Sequence, residues 1–333
     1  MKSATATPGC PKRMVFGPCG GVRGDGGCEM IALPCVFTGL QRPVPWSGPV
    51  GHRPPSTAPL VLTDLSVPPA DAATLAATVR VLAPASDALL VGDHQDRPDF
   101  PPTVLARMIA DAGSRPWVTL ACRDRNRVVL EQELRGLQHD GLATVLCVTG
   151  DGRAYDVRPD VTQVFDLDGT RLAALAASIG VPTAVAETPT TPPVRLRPAR
   201  LVEKERAGAG IAVLNHVRAA ADVAAFLAAA RRAGLTIPVV ASVAVYTDER
   251  SAGVLTALPG LEIDPGTVAS VLGASDPVAA GIEEAVTEAR SLLAVEGVVG
   301  VNLSGMASAR GVAYAAEVQA EIGRRIRDVS LDG

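Results

Sequence analysis

The chain has 333 residues, 47% hydrophobic and 20% charged, with a net charge of −4 at neutral pH. That length and apolar content suit one large domain or two ordinary ones with a substantial core. The negative balance argues against nucleic acid as the main partner, since phosphate binding needs a basic footprint.

No apolar run approaches the roughly 18 residues of a membrane span, so no membrane partner is expected. The opening MKSATATPGCPKR lacks the apolar stretch of a secretory signal. The expectation is a cytoplasmic protein in a reducing compartment, where cysteines serve as thiols or metal ligands more often than as disulfides.

In chain order, residues 1–41 stand apart. They hold Cys10, Cys19, Cys28 and Cys35 among Gly and Pro, spaced C-x8-C-x8-C-x6-C, with too few apolar residues for a core. Four thiolates in a coreless segment predict a closed structural zinc site that would supply folding energy. An iron–sulfur cluster is the competing reading. Residues 42–57 are proline-rich and read as an extended linker lying on the surface of the next domain.

From 58 to 328, short apolar runs alternate with segments of helical period. The predicted strands are 59–64, 88–93, 117–122, 143–151, 182–187, 211–216, 237–245 and 298–305. The predicted helices are 72–82, 103–112, 126–138, 170–178, 199–207, 219–233, 248–257, 277–294 and 307–326, with an irregular insertion before 277. Near-continuous apolar strands imply a parallel sheet covered on both faces. Eight of them alternating with helices predict a closed (β/α)8 TIM barrel. An open doubly wound sheet is the alternative, but TDLSVPPAD after the first strand lacks its Gly-rich turn.

Functional residues of such a barrel stand at the C-terminal strand ends. Those ends carry Asp64, Asp93-His94, Cys122-Arg123-Asp124, Thr149-Gly150-Asp151, Glu187, Asn215-His216, Tyr246-Thr247 and Ser304-Gly305. A rim carboxylate such as Asp64 can act as a general acid if burial raises its pKa, or can simply cap a helix. Asp124, Asp168 and Asp248 read equally as caps, His94 and His216 as hydrogen-bonded bystanders, and Cys122 and Cys147 as buried thiols. Lys204 is a solvated helical lysine unless it points at the rim, where it would suit phosphate.

The stretch LACRDRNRVVLEQELRGLQHDGLATVLCVTGD (120–151), with FDLDGTRL (165–172) and EKERAGAG (203–210), resembles the methylenetetrahydrofolate reductases. The segment CPKRMVFGPCGG…GDGGCE…PCVF is similar to a cysteine-rich domain usually C-terminal to, or partnered with, that barrel. The resemblance implies a barrel binding folate, and in most members FAD, that reduces 5,10-methylenetetrahydrofolate with a reduced nicotinamide such as NADH. It implies flavin contacts at Thr149, Gly150, Asp151 and Lys204, and folate contacts at Asp151, Asn215 and Glu187. Asp64 and Asp151 are the implied catalytic acids.

The sequence departs from the family at three places. Asp64 replaces a glutamate and lies one residue further from Pro68-Pro69, Gly92 replaces a Thr, and Thr119 stands where some members have His. These departures keep a flavin-free route open, and with it a second reading. In that reading the chain is a folate-binding component of a methyl-transfer or multi-subunit redox system, with a homo-oligomer or a redox partner protein as its context. A barrel that has lost catalysis is the third.

Overall fold

The computed structural model describes residues 6–54, 56–152, 157–257 and 260–330. Residues 1–5 of the predicted cysteine module lie outside them. Eight parallel strands run β1 (Val61–Leu65), β2 (Ala88–Val91), β3 (Pro116–Ala121), β4 (Thr144–Val148), β5 (Thr183–Glu187), β6 (Ile211–Leu214), β7 (Val239–Val245) and β8 (Val298–Gly305). They pair in chain order and close between β8 and β1, forming the expected (β/α)8 barrel.

The outer ring consists of α1 (Ala72–Leu82), α2 (Pro102–Asp111), α3 (Arg127–Asp140), α4 (Gly169–Ile179), α5 (Arg197–Ala207), α6 (Ala220–Arg232), α7 (Glu249–Ala257), α8 (Pro265–Leu272), α9 (Pro277–Leu293) and α10 (Val312–Ser330). Short polar side chains start several of them. Asp71, Asn126, Asp168, Asp264 and Asp276 each accept a backbone N–H of the first turn. Gly141 and Gly180 end α3 and α4 in the left-handed conformation.

Helix α8 corrects the predicted irregular insertion. Its eight residues form a helix because Asp264 caps the Thr267 N–H and Pro265 occupies the first turn. Helix α10 begins five residues later than predicted. Residues 306–311 form a loop held by Ser308, whose hydroxyl donates to Asp248 at 2.6 Å.

The interior is filled and leaves no pore. Leu62, Leu90, Trp117, Leu146, Ile211, Val213 and Val240 interlock within it, with Ala58 against them. A second, larger layer of Val, Leu, Ile and Ala seals strands against helices. Because strand side chains alternate, residues two positions beyond this plug point into the C-terminal mouth.

The N-terminal residues do not stand apart. Met14, Val15, Phe16, Val22 and Phe37 are buried, and the Val15 N–H donates to the fully buried Asp168 at 3.0 Å. The following linker runs along α5. The Trp46 N–H donates to Glu203, its ring packs on Phe16 at 4.8 Å, and the Gly51 N–H bonds the Arg206 carbonyl. No helix among the described residues is long and apolar enough to cross a membrane.

Gly300 fixes how the barrel closes, since a Cβ there would lie 1.9 Å from the Pro59 carbonyl oxygen. Gly300→Ala should therefore cost about 3 kcal/mol, the upper part of the overpacking range. A urea titration with an unchanged midpoint would contradict this closure.

Candidate functional site

A cavity of about 380 Å³ opens at the C-terminal end of the barrel. Alternation accounts for its walls. With Leu62, Trp117, Leu146 and Ala184 in the plug, Asp64, Thr119 and Ala121, Val148, and Ala186 face the mouth. Asn215 lines it beyond β6, and its amide donates to the Thr188 hydroxyl at 3.1 Å.

Asp64 projects inward from β1. Its carboxyl accepts from the Asn302 side chain at 3.1 Å, and Ser304 and the Gly305 backbone also bond to it. Desolvation outweighs these bonds and raises its pKa to about 6. The predicted acid therefore gives up its proton at a higher pH than an ordinary carboxyl, and it has no cation beside it.

Across the mouth, Thr149-Gly150-Asp151 leaves β4. Gly150 adopts φ +89°, and a Cβ there would come within 3.1 Å of the Arg123 Cβ. Glycine meets both demands. The Thr149 hydroxyl accepts the Gly169 N–H at 2.9 Å and so faces the start of α4. Asp151 is exposed toward the cavity, and the walls crowding it raise its pKa. Lys12 and Arg123 oppose that rise, and Glu29 adds to it.

Glu187 occupies the opposite register from Ala186 and points at α5. It meets Arg200 at 2.8 Å, Lys204 at 3.0 Å and Arg197 at 3.3 Å, all buried. Burial alone would raise its pKa, but the three cations hold the carboxyl well below the ordinary range. Lys204 yields instead. Desolvation and the Arg200 charge pull its ammonium down to about 7 against the attraction of Glu187. Lys204 does reach the rim, as a phosphate role requires, yet it is spent on Glu187 and the Ala186 carbonyl. A wall group so committed fits a flavin diphosphate poorly. Glu187, predicted as a folate contact, lines the cavity, with its carboxylate engaged by the α5 cations.

The N-terminal segment enters the same mouth. Lys12 donates to the Gly150 carbonyl at 2.6 Å and pairs with Glu29 at 2.5 Å, and both side chains are nearly buried. Cys19 lines the cavity and donates to Glu29 at 3.2 Å, while burial pushes its thiol up to about 12. Cys10 and Cys35 are raised first by burial and further by the charge of Cys28. The four predicted ligands thus divide into three neighbouring thiols and a fourth turned to Glu29. Among the described residues no group of three or more His, Cys, Asp or Glu is arranged to hold a metal ion. The donor set does not fit the expected four-thiolate zinc or iron–sulfur site, because Cys19 serves the mouth instead.

Asp124 departs from its reading as a cap, since Asn126 caps α3 and Asp124 pairs with Arg123 at 2.9 Å, whereas the following rim residues keep their plain readings. His216 is bracketed by the Glu262 carbonyl at 2.6 Å and Glu288 at 2.5 Å. Asp168 and Asp248 act as caps, and Cys122 and Cys147 are buried. Sequence reading missed Lys12, Glu29, Arg197, Arg200 and Asn302. The two arginines had a signal, since 197, 200 and 204 fall on one helical face.

Two outcomes follow. Asp64 is penalised when charged, so the native state loses stability as pH rises from near 4 through about 6. Asp64→Asn should melt above wild type at pH 8 and converge with it toward pH 4, and a gap independent of pH would refute the assignment. Glu187→Gln leaves three buried cations unpaired and should cost about 3–5 kcal/mol in denaturant titration. An unchanged midpoint would show that the cluster is not closed as described.

The chain matches no family model and no curated protein. It is similar in fold to a solved uncharacterised protein from Clostridium thermocellum that binds two copies of 5-methyl-5,6,7,8-tetrahydrofolic acid. That likeness has a TM-score of 0.58 at 12% identity, covering 81% of this chain and 95% of the other. Tryptophan synthase from M. tuberculosis is a more distant likeness, with a TM-score of 0.41 at 13% identity over 83% of this chain and 94% of the other. At such identities the shared feature is the barrel.

Proposed function

We propose that the barrel mouth binds a tetrahydrofolate and that the chain reduces its 5,10-methylene bridge to a 5-methyl group with a reduced nicotinamide. The observation that carries this reading is the pair of raised carboxyls, Asp64 and Asp151, facing one cavity of about 380 Å³. The 5-methyltetrahydrofolate held by a protein of similar fold supports it.

A pterin presents ring N–H and amino donors, which a carboxylate on a glycine-approached rim accepts well. Asp151 has that placement. Asp64, whose raised pKa keeps a protonated fraction available, can donate its proton to N10 as the N10–CH2 bond breaks, leaving an iminium at N5. Hydride from the nicotinamide then adds to the methylene carbon, so the folate gains a methyl group and the nicotinamide is oxidised. Deprotonated Asp64 offsets the developing positive charge. The commitment of Lys204 to Glu187 favours direct transfer over a flavin relay.

The second reading is a folate-binding component of a methyl-transfer or redox assembly. The hold of Asn302 and Ser304 on Asp64, which fixes a short acid deep in the wall, favours it.

Calorimetric titration of the purified chain should show saturable binding of 5-methyltetrahydrofolate, weakened about tenfold by Asp151→Asn through loss of a charge-assisted bond. Methylenetetrahydrofolate should accelerate NADH or NADPH oxidation, and Asp64→Asn should abolish this while sparing binding. Binding without turnover would favour the second reading, and absence of binding would sink both.

A further inference from the structure

Among the described residues, the N-terminal segment reaches the β4 rim at Thr149, Gly150 and Gly152. The Thr149 hydroxyl donates to the Met14 sulfur at 3.6 Å. The Gly150 carbonyl accepts from Lys12 at 2.6 Å, and the Gly152 N–H donates to Glu29 at 3.0 Å. Lys12 and Glu29 also bind one another at 2.5 Å. The clasp therefore closes on both sides of Asp151 and leaves that side chain facing the cavity.

We propose that the Lys12–Glu29 pair is the positioning device of the ligand site: it sets the backbone on either side of Asp151 and makes the N-terminal segment an integral part of the mouth. This rests on the folate reading for the identity of the ligand, but not for the clasp itself.

Three physical arguments support the assignment. The pair is nearly dry, with side chains 3% and 10% exposed, so desolvation makes it a poor source of net stability. Besides the Cys19 thiol on Glu29, its bonds go to the backbone of one loop, which gives geometric definition instead. The approach is also close. A Cβ on Gly152 would lie 2.1 Å from the Met30 sulfur and 3.6 Å from the Glu29 carboxylate. Residue 152 has no side chain to keep the two segments apart.

The segment is anchored independently of the clasp. Arg197 donates to the Pro18 and Cys19 carbonyls, Arg171 to the Arg13 carbonyl, and Asp168 receives the Val15 N–H. Loss of Lys12 therefore loosens the loop without releasing the segment, and this separates positioning from folding.

The test combines hydrogen exchange with titration of 5-methyltetrahydrofolate on the full chain. In wild type, the Gly152 amide should be protected although it stands outside the strands, and lack of protection there would overturn the proposal. Lys12→Met should raise exchange across Thr149–Gly152 about tenfold while the strand amides stay protected. It should also weaken folate binding about tenfold, with Lys12→Arg restoring most of both effects because a cationic donor returns. Glu29→Ala, which removes the Gly152 acceptor, should reproduce the loop exchange and serves if Lys12→Met does not fold. Unchanged loop exchange in either folded variant, or no rescue by arginine, would contradict the proposal. A wild type that shows the exchange pattern but binds no folate would leave the clasp standing and remove the folate reading.

Discussion

At the C-terminal end of β5, Glu187 gathers Arg197, Arg200 and Lys204 around a single buried carboxylate. The arrangement leaves a surplus of positive charge in the wall, part of which is spread because Arg197 shares its donors widely. Arg197 alone serves Glu187, the Thr191 and Pro192 carbonyls, and the Pro18 and Cys19 carbonyls of the N-terminal segment. The same carboxylate thus ties α5 to β5 and, through one guanidinium, fastens a coreless segment to the barrel mouth. A lysine could not do this, since it lacks the planar fork and the number of donors.

That anchoring changes what the N-terminal segment is. By composition it asks for a metal to fold around, yet in the structure it borrows the barrel as its core. Phe16 and Met14 are buried, Trp46 of the linker covers Phe16, and Val15 caps onto Asp168. With tertiary contacts supplying the order, Cys19 is free to line the cavity, while Cys10 and Cys35 each feel the charge of Cys28. The mouth then has two contributors. The barrel supplies Asp64, Asn215 and Asp151, and the segment supplies Lys12, Glu29 and the Cys19–Gly20 edge.

The barrel was legible because period-2 and period-3.6 patterns are local, and eight buried strands leave an unmistakable apolar rhythm. Asp64 and Asp151 were legible as residues of the mouth because strand ends form the rim of such folds. The reading failed where contacts are non-local or register was ignored. In TAVAE, Ala184 and Ala186 face inward, and Glu187 at the strand end lines the cavity while taking its cations from α5, a pairing the strand alone conceals. Lys12 and Glu29 lie in a stretch with no periodicity, and their partners are well over a hundred residues away in sequence. Helix α8 escaped because a short segment of Val, Ser and Gly has little helical propensity, although Asp264-Pro265 marked its start.

The chemistry assigned to the mouth depends on two carboxyls kept apart in environment. Asp64 is buried with no charged group beside it, so desolvation raises its pKa, and Asp151 stands on a loop between Lys12, Glu29 and Arg123. Such divergence between neighbouring acids separates a proton donor from a ligand-orienting group. A crystal structure of the chain with 5-methyltetrahydrofolate tests this most directly. The account predicts the pterin in the mouth cavity, its ring donors on Asp151 and its reacting edge toward Asp64. A folate bound elsewhere on the surface, or a pterin turned away from both carboxyls, would contradict it.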